Sequence, residues 1–174
     1  MEINVPKAGN ATKPKGHNTF GLRSKGAGLD AIDAAILREL CADARIAHAE
    51  LARRVGLSAP SVADRVRRLE DTGVITGYSA KIDPVRLGYG LTVLIRARPL
   101  PGEMDRMVKA IRKTPQIVSC DRVSGDDCFV ARAHVHDVTE MEAVIDRLVP
   151  FGATNSSIVQ SAPVPQRLIE LRDS

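Results

Sequence analysis

Apolar residues recur at helical spacing from Leu29 to about Gly73, and the period changes after that point. Ile32, Ile36, Leu37 and Leu40 share one side of a first predicted helix, with Asp30 placed to cap it and Asp33 as an anion in its first turn. A second predicted helix holds Glu50, Leu51, Ala52 and Val55 and stops at Gly56, which can adopt the left-handed conformation. Only Leu57 intervenes before Ser58, a good N-cap for a third helix running to about Thr72. Pro60 falls in its first turn, where a missing N–H costs nothing. Two short helices joined by a tight Gly-containing turn predict a helix-turn-helix.

Beyond Gly73 the chain reads as an extended connector over Val74 to Asp83, punctuated by Asp83-Pro84 and Gly88. Alternation predicts strands over Leu91 to Arg98, Ile117 to Val123, Cys128 to Val135 and near Ser156 to Gln160. Met104, Met107, Val108 and Ile111 form one helical stripe that stops before Pro115. A second stripe, Met141, Val144, Ile145 and Leu148, ends at Pro150 and Gly152. The order β-α-β-β-α-β is that of the split ferredoxin-like unit. An antiparallel sheet with helices on one face leaves the other needing cover, which points to a homodimer. The expected fold class is α+β, a helix-turn-helix domain followed by a ferredoxin-like domain. The expected divisions are an arm (1–28), the helical domain (29–80), a linker (81–90), the βαββαβ domain (91–162) and a tail (163–174).

A helical projection of the third helix puts Val62, Val66 and Leu69 on its buried side. Ser58 stands at its start, and Pro60, Ser61, Asp64, Arg67 and Arg68 then project outward. Such a face suits the major groove of duplex DNA, with Arg67 and Arg68 on phosphate or guanine edges and Ser61 near the helix start. Arg65 sits at the boundary, where its stem can pack and its head can bond a neighbouring helix end. Asp64, Glu70 and Asp71 offset the three arginines, so charge alone leaves an ordinary solvated face equally open.

Composition narrows the class. The chain has 174 residues, 44% of them hydrophobic, 3% aromatic and none Trp, so a base-stacking platform for single strands lacks its residues. No apolar run approaches the roughly 20 residues of a membrane helix, and no basic-then-apolar leader opens the chain. Cys41, Cys120 and Cys128 make an odd count without zinc spacing, which fits free thiols and a cytoplasmic protein. The net charge is +4, and Lys7, Lys13, Lys15, Arg23 and Lys25 against Glu2 place all of it in the arm. The arm, rich in Gly, Lys, Asn and Pro without an apolar face, is expected to be disordered, either grazing phosphate or serving as a solubilising leader.

Residues Leu29-Asp30-Ala31-Ile32-Asp33, Ile36-Leu37, Asp43-Ala44-Arg45 and Glu50-Leu51-Ala52 resemble the first half of an Lrp/AsnC-family regulator. Gly56-Leu57-Ser58, the Arg65 to Glu70 run, Gly73-Val74-Ile75, Gly77-Tyr78, Leu87-Gly88 and Val123-Ser124-Gly125-Asp126 continue it, so the resemblance spans about residues 29 to 161. It implies a DNA-binding helix-turn-helix with its contacts on the third helix. It also implies a ligand-sensing βαββαβ domain responding to amino acids, and dimers assembling into higher oligomers. Two departures stand out. Ala47 occupies the position of the usual Ser or Thr cap of the second helix, a loss on the order of 1 kcal/mol. Cys128 replaces the Asp that precedes an aromatic in many relatives, here Phe129.

In the resemblance, the turn of Ser124, Gly125, Asp126 and Asp127 lines the effector pocket. Gly125 admits close approach of a ligand, and the two carboxylates can accept from an ammonium group. The same four residues also make an ordinary solvated turn. Cys128, His134 and His136 share strand parity, but Arg132 lies among them and disfavours a metal ion. The same histidines raise an alternative, since sirohaem decarboxylases of haem biosynthesis resemble this architecture. Such an enzyme needs His and Arg converging on a large pocket. No Ser-His-Asp order, Walker loop or HExxH is present, so the expectation is a regulator without cofactor or metal, not an enzyme.

Overall fold

A computed structural model describes residues 28–164, and it divides after Tyr78 into two compact units. The basic arm lies outside the described residues, apart from Gly28, as does the tail from residue 165.

The first unit holds α1 (Ala31–Ala42), α2 (His48–Val55) and α3 (Ala59–Asp71). Asp30 and Asp33 close a reciprocal capping box at the start of α1. The Asp30 carboxylate accepts from the Asp33 N–H at 2.7 Å, and that of Asp33 accepts from the Asp30 N–H at 3.2 Å. Ala47 caps α2 with no side-chain bond, as its methyl dictates. Gly56 ends α2 at φ +73°, a conformation that L side chains rarely adopt. Ser58 then accepts from the Ser61 N–H and starts α3. Ile36, Leu37, Leu40, Leu51, Ala52, Val62, Val66 and Leu69 form one buried cluster, so the apolar stripes of the three helices meet as their spacing requires. After α3 the chain runs without helix or strand to Pro84, in keeping with the extended connector.

The second unit holds β1 (Leu91–Pro99), α4 (Met104–Lys113), β2 (Ile117–Arg122), β3 (Phe129–Val135), α5 (Val138–Asp146) and β4 (Gly152–Ile158). Strand order is β2-β3-β1-β4, with β1 antiparallel to both β3 and β4, and β2 antiparallel to β3. This is the ferredoxin-like arrangement that the element order predicts. Val93, Ile95 and Ala97 join Phe129, Ala131, Ala133 and Val135 on one sheet face, which packs against Met107, Ile111, Val144 and Leu148 of the helical layer. The alternate positions, Thr92, Leu94, Arg96, Val130, Arg132 and His134, lie on the opposite face, which no helix of this unit covers.

One strand is displaced from its expected place. β4 begins at Gly152 and ends at Ile158 rather than spanning Ser156 to Gln160. Thr154, Asn155, Ser156 and Ser157 carry no apolar alternation, so β4 is set by pairing with β1, Pro99 opposite Gly152 and Val93 opposite Ile158. Gly152 is needed there because a Cβ would strike the Arg98 carbonyl oxygen and lie 2.7 Å from the Pro99 Cα. The 81–90 segment packs within this second unit. It forms a short 3-10 turn over Val85–Leu87, and the Tyr89 ring lies 4.5 Å from that of His136.

Candidate functional site

On α3 the residues separate as a helical projection requires. Val62, Val66 and Leu69 are buried, whereas Ser58, Pro60, Ser61, Asp64, Arg67 and Arg68 are exposed. Pro60 sits in the first turn, and the Ser58 and Ser61 hydroxyls lie 2.8 Å apart beside it. Arg67 is among the most open of these side chains, with only a long 3.5 Å approach to Asp64 one turn away. An exposed pair of that kind is weak, so the guanidinium can turn to a stronger anion.

Arg65 behaves as a structural residue. Its Nη1 donates to Asp30 at 2.7 Å and to Asp33 at 2.8 Å, tying α3 to the start of α1. Bonding to the guanidinium and to the Asp33 N–H holds the Asp30 carboxyl below its ordinary pKa. Arg68, read as an outward contact, also reaches the Asp33 carboxylate through Nη2 while its side chain remains 52% exposed. Asp33 is thus a fully buried carboxylate that receives two arginines. The sequence marks only its role in the first turn, because its partners lie more than 30 positions away.

The turn between β2 and β3 is held by the Val123 N–H donating to the Cys128 carbonyl, and the Cys128 N–H to that of Ala97. Gly125 takes φ +116°, the freedom that its place in the turn requires. Ser124, Gly125 and Asp126 are exposed and Asp127 is half-buried. Arg96, on the neighbouring β1, approaches the Asp127 carboxylate at 3.8 Å and donates to Asn155 at 2.7 Å. A ligand ammonium at Asp127 therefore meets a resident cation, which leaves Asp126 as the carboxylate without an ion pair among the described residues. No local sequence signal marks Arg96, since only the β1–β3 register brings it near the turn.

The histidines go to separate partners. His134 Nδ1 lies 3.1 Å from the Thr92 hydroxyl, and burial and then Arg132 lower its pKa. His136 Nδ1 lies 2.6 Å from Glu140, whose other oxygen accepts from the Gln116 amide. A concavity of about 430 Å³ lies on this side of the unit, bounded by Ile82, Leu87, Tyr89, Gln116, Val118 and His134 among others.

A helix-turn-helix unit with an exposed, arginine-bearing third helix, followed by a βαββαβ unit, defines the class: a DNA-binding regulator with a sensing domain. Known proteins of this kind resemble the chain in both units. A winged helix-turn-helix DNA-binding model matches residues 29–76, and the Lrp/AsnC ligand binding domain matches residues 92–169. The chain is 35% identical over 145 residues to the proline dehydrogenase transcriptional activator of Rhodobacter capsulatus, covering 79% of this chain and 94% of that protein. The structure of Bacillus subtilis LrpC superposes with a TM-score of 0.75 at 30% identity, covering 79% of this chain and 99% of that one. The feast or famine regulatory protein from M. tuberculosis complexed with L-methionine superposes with a TM-score of 0.76 at 35% identity, covering 81% and 98%.

The chain belongs to the Lrp/AsnC family of transcriptional regulators. It is a DNA-binding regulator with a small-molecule ligand domain, and the sirohaem-decarboxylase alternative finds no support among its relatives. No helix among the described residues is long and apolar enough to cross a membrane.

Proposed function

We propose that this regulator reads duplex DNA with the exposed face of α3 and answers to an amino acid bound at the turn from Ser124 to Asp127. The single observation that carries the first part is the separation of α3 into a buried Val62, Val66, Leu69 side and an open Ser58, Pro60, Ser61, Asp64, Arg67 side. Arg67 is the principal duplex contact, with phosphate its partner. Arg68 adds a second from a guanidinium it shares with Asp33. The relative that holds L-methionine supports an amino acid as the effector class, with Asp126 and the Ser124 hydroxyl receiving its ammonium group.

The uncovered sheet face with Leu94, Val130 and His134 supports a homodimer, which builds higher oligomers in the cytoplasm. Paired recognition helices then require half-sites spaced by the DNA helical repeat. An effector that favours one assembly or domain arrangement changes DNA affinity by its differential binding.

The test is a salt-dependent titration of the full chain on the duplex upstream of its own gene. Arg67→Ala lowers affinity and flattens the log–log salt slope by about one unit. An unchanged affinity and slope overturns the assignment. For the turn, thermal-shift screening of the amino acids reads the effector, since a ligand raises apparent stability by mass action. The stabilisation disappears in Asp126→Asn, and flat curves with every amino acid refute the turn as the sensor.

A further inference from the structure

The βαββαβ unit carries a second groove, about 490 Å³ in volume, between α4 and the turn that follows α5. Four cations line it: Arg106, Lys109 and Lys113 from α4, and Arg147, which closes α5. The first three stand at i, i+3 and i+7, so they form one stripe along the helix. Ala110, Thr114 and Phe151 complete the lining, which includes no acidic residue.

Arg106 lies over the Phe151 ring, 5.1 Å from its centroid, and its Nη1 is 3.0 Å from Glu103. Lys109, Lys113 and Arg147 make no side-chain hydrogen bond or ion pair among the described residues. From residue 29 onward the chain is charge-balanced, so this is a local concentration that the overall composition does not demand. Helix dipoles favour Lys113 and Arg147 near helix C-termini, yet they disfavour Arg106 in the first turn of α4 and leave Lys109 unexplained. Clustered like charges repel, and an anion held among them relieves that repulsion.

We propose that this groove binds a compact organic polyanion with a flat apolar body, of the nucleoside polyphosphate class. The four cations hold the phosphates, while Phe151, Ala110 and the aliphatic stems of the lysines receive the base. The volume falls within the range of small-molecule sites, and the apolar lining from Ala110 and Phe151 offers a flat ring a seat that a phosphate backbone would leave unused. None of Ser124 to Asp127 lines the groove, so this site is separate from the amino-acid turn and does not rest on it.

Isothermal titration calorimetry of the full chain without DNA tests this with three probes: ATP, adenosine and tripolyphosphate. ATP binds, adenosine gives no heat, and tripolyphosphate binds more weakly than ATP. Lys109→Ala/Lys113→Ala weakens ATP binding by about tenfold, as loss of two solvent-exposed charge contacts predicts. Lys81→Ala/Arg86→Ala removes the same charge from the segment before β1 and leaves the affinity unchanged. Circular dichroism confirms that both variants fold. Absence of ATP binding at millimolar concentration overturns the proposal, as does equal binding of tripolyphosphate and ATP. Equal weakening in the two double variants does so too, since only net charge would then matter. Lowered affinity for DNA in Lys109→Ala/Lys113→Ala, without nucleotide binding, assigns the groove to a duplex backbone instead.

Discussion

Asp33 is the residue whose removal tests the helical unit most directly. It has no exposed surface, and its carboxylate accepts from Arg65 at 2.8 Å, from Arg68 and from the Asp30 N–H at 3.2 Å. Asp33→Ala takes away an acceptor used by three donors, two of them charged. Breaking a buried ion pair costs about 3–5 kcal/mol when the survivor stays desolvated. Here the survivors are not trapped: Arg68 is half-exposed and Arg65 keeps Asp30 at 2.7 Å. The expected loss is therefore smaller, about 2–3 kcal/mol, close to one charge-assisted bond plus the N-terminal cap contact. Asp33→Asn retains one oxygen acceptor and loses less. Because the chain has two units, a single unfolding curve can mix their transitions. Hydrogen exchange on peptides from α1 to α3, compared with peptides from β1 and β3, assigns the loss to the helical unit. A change under about 0.5 kcal/mol would place Asp33 among ordinary surface substitutions and refute the reasoning.

Ala47→Ser restores a cap at a residue already in extended geometry (φ −67°, ψ 143°), and raises stability by about 1 kcal/mol in denaturant titration. Gly152→Ala forces a methyl group against the Arg98 carbonyl and destabilises the sheet unit by about 3 kcal/mol, read from the same titration. Glu140 is held at about 2 by the His136 backbone N–H, then by the Gln116 amide and the His136 ring. Its folded pKa lies below the ordinary 4.5, so its contribution is complete above that value and fades as pH falls towards about 2. Glu140→Gln accordingly flattens the acid limb of a pH-stability profile between those values, and an unchanged limb refutes the link.

Local chemistry, written in neighbouring residues, was legible from the chain alone. The Asp30 cap, the Gly56 stop, the Ser58 start and the inward row of Val62, Val66 and Leu69 each depend on residues within two helical turns. The order of strands and helices followed from the change in apolar period, and that order restricts the sheet to few topologies. Most of the outward face of α3 was legible for the same reason. What needed the folded chain were relations between distant segments. A helical projection turns Arg68 wholly outward, but Asp33, 35 positions away, holds one end of it. Arg96 reaches Asp127 only because β1 lies beside β3. β4 has no apolar alternation of its own and takes its limits from hydrogen bonds to β1. Periodicity records which side of an element is buried, whereas the identity of the partner on that side is fixed only when non-neighbouring segments meet.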